Sequence, residues 1–113
     1  MDELINKIVS FRDERNWAQF HNPKDLAISL NLESSELLEL FQWKSSEETV
    51  EQKLPEIRDE LADVLYYTLL MFHDMHLDPK EALLAKLRKN EEKYPVEKAY
   101  GSNKKYTEFD GEF

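Results

Sequence analysis

Seven carboxylates in two stretches of this 113-residue chain have a spacing with chemical potential: Glu33, Glu36 and Glu39, then Glu56, Asp59, Glu60 and Asp63. On a helix turning about 100° per residue, Glu33 lies roughly 20° from the apolar stripe through Leu26, Leu30 and Leu37. Glu36 sits at the edge of that stripe and Glu39 points some 140° away. In the second stretch Glu56, Glu60, Asp63 and Tyr67 form one strip at the core boundary, beside the apolar line through Ile57, Leu61 and Val64. Like charges at these spacings repel by roughly a few tenths of a kcal/mol per exposed pair, and by more when half buried. No Lys or Arg stands between Asp25 and Trp43, and only Arg58 stands between Pro55 and Asp78. A bound cation is therefore the economical partner, and an all-oxygen donor set favours a hard ion, Mg²⁺ or Mn²⁺ in its place. Solvated faces are the ordinary role for Glu39, Glu56 and Asp59. A dinuclear iron bundle would need Glu-x-x-His, and neither His73 nor His76 has a Glu three residues before it.

Helices must position these groups. Only two glycines occur, Gly101 and Gly111, and no turn dipeptide separates alternating apolar runs. The spacing predicts four main helices: Asp2 to about Asn16, Pro23 to about Trp43, Pro55 to about His76, and Pro79 to Tyr94. Asn22-Pro23-x-Asp25 and Asp78-Pro79-x-Glu81 are cap, proline and first-turn acid. The polar connector 44–53 has room for a short helical turn. The fold class is all-α, a single domain over 1–113 with a helical bundle in 1–94 and an irregular tail in 95–113, tied down by Tyr100, Tyr106 and Phe109. Phe20 is expected in the core, and His73 toward solvent.

Composition excludes several functions. Fifteen Lys and Arg against 24 Asp and Glu leave a net charge of −9, which argues against binding a nucleic-acid backbone. There is no cysteine, hence no disulfide, thiol nucleophile or thiolate zinc site. Apolar runs fall far short of the ~20 residues that cross a membrane, and MDELINK has no signal-peptide anatomy. A soluble cytoplasmic protein with no membrane partner is the expectation.

The flanking residues add a resemblance. Glu33-x-x-Glu36 and, after 23 intervening residues, Glu60-x-x-Asp63 stand with Trp17-Ala-Gln-Phe20-His21, Leu40-Phe41-Gln42-Trp43-Lys44 and Val64-Leu65-Tyr66-Tyr67. Further on come Lys86-x-x-x-Asn90-x-x-Lys93-Tyr94-Pro95 and Gly101-Ser102-x-x-Lys105-Tyr106-Thr107. Together they resemble the MazG-like, all-α nucleoside triphosphate pyrophosphohydrolases, most of all the dCTP pyrophosphatase branch. The resemblance implies Mg²⁺-dependent cleavage of a nucleoside triphosphate to the monophosphate and pyrophosphate. It implies Mg²⁺ held by Glu33, Glu36, Glu60 and Asp63, and a homo-oligomer, dimer or dimer of dimers. Lys93 departs from the arginine usual at its position, keeping the charge without bidentate geometry.

Within such a site Glu33 or Glu36 is expected to accept the proton of the attacking water. Trp17, Trp43 and Tyr67 are candidates for an apolar slot holding the base, with His21 at base or sugar. Lys86, Asn90, and Lys93 or Tyr94 share one helical face suited to clamping phosphates, and Lys105 belongs to the same basic third of the chain. Broad apolar arcs around Tyr66, Leu69, Leu70 and Phe72 independently suggest burial against a second copy. The competing readings are a same-fold enzyme for dUTP or phosphoribosyl-ATP, a helical interaction module without catalysis, and a metal-binding regulator without turnover.

Overall fold

The computed structural model describes residues 1–109. They form five α-helices and no strand: α1 (Asp2–Glu14), α2 (Pro23–Glu39), α3 (Ser46–Asp74), α4 (Pro79–Lys93) and the short α5 (Val96–Ala99). Single 3-10 turns occupy Ala18–Phe20 and Tyr106–Glu108. Two compact units result, Met1–Leu77 and a second from Asp78 onward.

In the first unit, local chemistry sets each helix end. Asn22 Oδ1 accepts from the Asp25 N–H at 2.9 Å and Pro23 occupies the first turn, so α2 starts where the sequence predicts. It stops at Glu39 rather than near Trp43. The N–H groups of Phe41, Gln42 and Lys44 bond carbonyls three residues back, and Trp43 turns left-handed at φ 66°. At the end of α1 the Trp17 N–H bonds Arg12 O at 3.1 Å and the Asn16 N–H bonds Asp13 O at 3.0 Å. Asn16 is left-handed at φ 54°, which completes a Schellman motif and stops the helix at Glu14. The end of α3 repeats it, with Leu77 N–H on Phe72 O at 2.8 Å and His76 at φ 58°.

The connector before α3 is more ordered than its polarity suggests. Ser45 Oγ caps Glu48 N–H at 3.1 Å, and helix runs from Ser46 into α3. Pro55 offers no N–H to the Glu51 carbonyl, and the chain kinks at Lys53, φ −125° and ψ 21°. Both α1 and α2 pack on α3. Glu33 meets Glu60, while Ser29 and His21 meet Tyr67, so α2 and α3 run antiparallel. Leu26, Leu69 and Leu70 are fully enclosed, with Ile5 and Ile57 nearly so. Each such side chain contributes about 2 kcal/mol of burial. Phe20, expected in this core, is instead 66% exposed on its 3-10 turn, whereas His73 is exposed as predicted.

In the second unit Asp78 Oδ1 caps Lys80 and Glu81 N–H at 2.9 and 3.2 Å, with Pro79 in the first turn, as predicted for α4. The tail holds more structure than expected. Tyr94 packs edge-on against Tyr106 and Phe109 with centroids 6.0 and 5.8 Å apart, and Phe109 is buried. Tyr100, expected to help, is 89% exposed. Gly111 lies outside the described residues.

Candidate functional site

One turn separates Glu33 from Glu36 on α2, and the antiparallel α3 sets Glu60 against them. One carboxylate oxygen from each of these three lies within 4.8 Å of the others. Glu33 and Glu60 are half-buried and Glu36 is exposed. Oε2 of Glu33 and Oε2 of Glu60 are both buried without a hydrogen-bond partner. Burial pushes the Glu33 carboxyl from its ordinary 4.5 up to about 7, assisted by the hydrogen-bonded Glu36 and by the charges of Asp63 and Glu60. Burial raises Glu60 as well, followed by its contact with Glu36. Asp63 is not one of the three converging residues, but its charge bears on both and it lines the cavity beside Glu33. Buried carboxylate oxygens without a hydrogen-bond partner fit an oxygen-coordinated divalent ion. Glu39, Glu56 and Asp59 are exposed.

A cavity of about 610 Å³ adjoins the acids. Helix α1 contributes Leu4, Lys7, Ile8 and Phe11 to its wall, and α3 contributes Ala62, Leu65, Tyr66 and Tyr67. Trp17 completes it from the turn after α1. The rings meet edge to face: Trp17 on Phe11 at 5.7 Å, Phe11 on Tyr66 at 6.1 Å, Tyr66 on Tyr67 at 5.0 Å. The Arg15 guanidinium lies 3.9 Å from the Phe11 ring centroid. Burial raises both tyrosine hydroxyls, and for Tyr67 the nearby Glu33 and Asp63 charges add to it. The volume and apolar lining suit a small planar ligand whose charged end meets carboxylate-held cations.

Behind Tyr67 stands His21, its ring 6.5 Å away and edge-on. His21 Nδ1 is 3.5 Å from Nη1 of the buried Arg12, which binds Asp74 through two bonds of 2.7 and 2.8 Å. Burial lowers the His21 pKa, and the Arg12 charge lowers it further against Asp74. Arg12 holds Asp74 below the usual carboxylate range.

Of the residues singled out from the sequence, the structure brings Glu33, Glu36 and Glu60 together, sets Asp63, Trp17 and Tyr67 at the cavity, and leaves His21 one ring behind it. Trp43 does not line the cavity and is 93% exposed. Lys86, Asn90, Lys93, Tyr94 and Lys105 belong to the second unit. There Lys86 is exposed, Asn90 is half-buried and Tyr94 is held in the aromatic cluster. Lys93 Nζ lies 5.0 Å from the Tyr106 ring centroid, and Lys105 N–H donates to Glu108 at 3.3 Å. Sequence reasoning passed over Leu4, Lys7, Ile8 and Phe11, whose i, i+3, i+4, i+7 spacing marks one face of α1. It also passed over Arg12, one of several charged residues at the end of the first helical stretch.

The sequence pattern of the MazG-like family matches residues 28–109. Mouse dCTP pyrophosphatase 1 is 41% identical over 96% of this chain, and the human protein of that name is 39% identical over 96%. The chain spans 66% of the length of each. A crystal structure of a pyrophosphatase from Archaeoglobus fulgidus superposes with a TM-score of 0.80 at 44% identity, covering 84% of this chain and 92% of that one. Among the described residues no helix is long and apolar enough to cross a membrane.

Proposed function

The chain belongs to the MazG-like family, and on that premise we propose that it hydrolyses a deoxynucleoside triphosphate, dCTP or a close relative, to the monophosphate and pyrophosphate in a Mg²⁺-dependent reaction. One observation carries the reading: three converging carboxylates, two with a buried unpartnered oxygen, adjoin an aromatic cavity of nucleoside size. The names of the mouse and human relatives support dCTP as the first substrate to try.

Glu33, Glu36, Glu60 and Asp63 are the residues that would hold Mg²⁺. When bound, the ion neutralises triphosphate charge and polarises water. Glu33, which lines the cavity, or Glu36 beside it accepts the proton released by the attacking water. Trp17 and Tyr67, with Phe11 and Tyr66, form a wall on which a base stacks. Lys7 is the basic residue in that wall and meets an acceptor on the base or sugar.

Lys86, Asn90 and Lys93 are proposed phosphate contacts on their chemistry and spacing along α4, and Lys105 on its charge. Trp43 is proposed to reach substrate from a second copy of the chain. An indole left 93% exposed, together with Leu61 about half-exposed on α3, supports a homo-oligomer, dimer or dimer of dimers.

Pyrophosphate release measured against a panel of ribo- and deoxynucleoside triphosphates with Mg²⁺ tests the reading. Release from dCTP above the other nucleotides is the expected result. A different leading substrate would reassign the base, and no release from any nucleotide would refute hydrolysis.

A further inference from the structure

Arg12 is an anomaly that stability does not explain. It is 5% exposed and its Nε has no hydrogen-bond partner. A buried ion pair gains little over an apolar pair of similar volume. Yet the Arg12 guanidinium is gripped by both Asp74 oxygens, at 2.7 and 2.8 Å, which joins α1 to the C-terminal end of α3. Its Nη1 also faces His21 Nδ1 at 3.5 Å, and His21 lies edge-on to Tyr67, a residue of the cavity wall.

A guanidinium carries donors only. The nitrogen facing it must present a lone pair, so neutral His21 carries its proton on Nε2. Were the proton on Nδ1, two N–H groups would oppose each other. Asp74 keeps the guanidinium from rotating away, because both its carboxylate oxygens are engaged in one planar fork.

We propose that Arg12, clamped by Asp74, is a positioning residue for the nucleobase wall: it holds His21 as the Nε2–H tautomer against Tyr67. The proposal rests on the reading of the cavity as a base slot. It assigns to two charged residues outside the cavity a share of substrate affinity, and none of the chemistry.

The test is ¹⁵N NMR of the histidine side chains in the full-length protein at pH 7.5, paired with steady-state kinetics on dCTP. In the wild type, His21 is expected to show a protonated Nε2 and an unprotonated Nδ1. Arg12→Lys and Asp74→Asn should shift His21 toward mixed tautomers and raise KM five- to twentyfold, with kcat changed less than threefold. Arg12→Lys keeps the buried charge and guards against a variant that fails to fold. A wild-type His21 protonated on Nδ1 would overturn the proposal. So would variants with a changed tautomer and an unchanged KM, or an equal fall in kcat and kcat/KM. An inactive wild type with the Nε2–H tautomer would remove the proposed function, and with it the kinetic link, while upholding the Arg12–His21 assignment.

Discussion

Glu33 on α2 and Glu60 on α3 each bury an Oε2 with no hydrogen-bond partner, and both carboxylates approach Glu36 within 4.8 Å. Two helices that pack closely have brought together like charges and left lone pairs unsatisfied between them. This arrangement opposes folding unless a proton or a cation joins it. That relationship makes the acids the part of the molecule most sensitive to what is dissolved around it.

Metal-free protein should lose stability as pH rises. The folded Glu33 carboxyl holds its proton up to about 7 against an ordinary 4.5. The folded state therefore binds more protons than the unfolded state between those values. The stabilisation is complete below about 4.5 and lost as pH climbs through about 7. Thermal melts in EDTA should show Tm falling across this window. Mg²⁺ should restore Tm most strongly above pH 7, where it no longer competes with the proton. A Tm in EDTA that rises across the window would contradict the assignment.

Glu36→Gln and Asp63→Asn are each expected to reduce Mg²⁺-dependent turnover at least a hundredfold, roughly 2.7 kcal/mol of transition-state stabilisation. Both should keep the helical circular dichroism spectrum, and in EDTA both should melt at or above the wild-type temperature because one repelling charge is gone. Full activity in either variant would remove that residue from the site.

Trp17→Ala should raise KM for the preferred nucleotide about tenfold, since base stacking on an aromatic ring is worth roughly 1–3 kcal/mol. Lys7→Ala should act differently, changing the ranking of bases in a nucleotide panel more than the affinity for any one. An unchanged ranking would leave Lys7 as a solvated residue at the cavity rim.

Arg12→Ala should lower stability by about 3 kcal/mol, and Tm by roughly 10 °C or more. This is the low end for a broken buried pair, because the Asp74 side chain remains 22% exposed. Asp74 has a depressed pKa, so its contribution is present above the ordinary 3.8 and vanishes as pH falls through the lower folded value. Acid titration of Asp74→Asn should lack that step.

Size exclusion with light scattering at micromolar concentration should give a mass of 27 kDa or a multiple, twice or more the 13.5 kDa chain. A fully active 13.5 kDa species would leave Leu61 and Trp43 exposed for another reason.

The starts of α2 and α4 were legible from sequence because caps and prolines act locally: Asn22-Pro23 and Asp78-Pro79 open them as local rules require. The start of α3 was not, since Ser45 caps a helix that runs on through Pro55, where a helix was expected to begin. The end of α2 falls at Glu39 rather than near Trp43, whereas α1 and α3 end close to Asn16 and His76, whose left-handed turns close them. The acids were legible because Glu33 breaks an apolar stripe and lacks basic neighbours. The cavity's α1 wall was not, since Leu4, Ile8 and Phe11 read equally well as core. Arg12 was invisible for a different reason: its partner Asp74 is 62 residues away, and no local pattern announces a distant fork.

That separation has a kinetic consequence. The converging acids come from consecutive helices joined by a short connection, so their approach closes a small loop and belongs to the antiparallel hairpin of α2 and α3. The Arg12–Asp74 contact must close across 62 residues. A folding nucleus built on the hairpin would form the acidic cluster early and dock α1 late. Substitution of the enclosed Leu26 by Ala should then slow refolding in stopped-flow experiments, whereas Arg12→Lys should chiefly speed unfolding. The reverse pattern would place α1 docking in the nucleus. In this order of events the cavity wall that α1 contributes is assembled last and opens first.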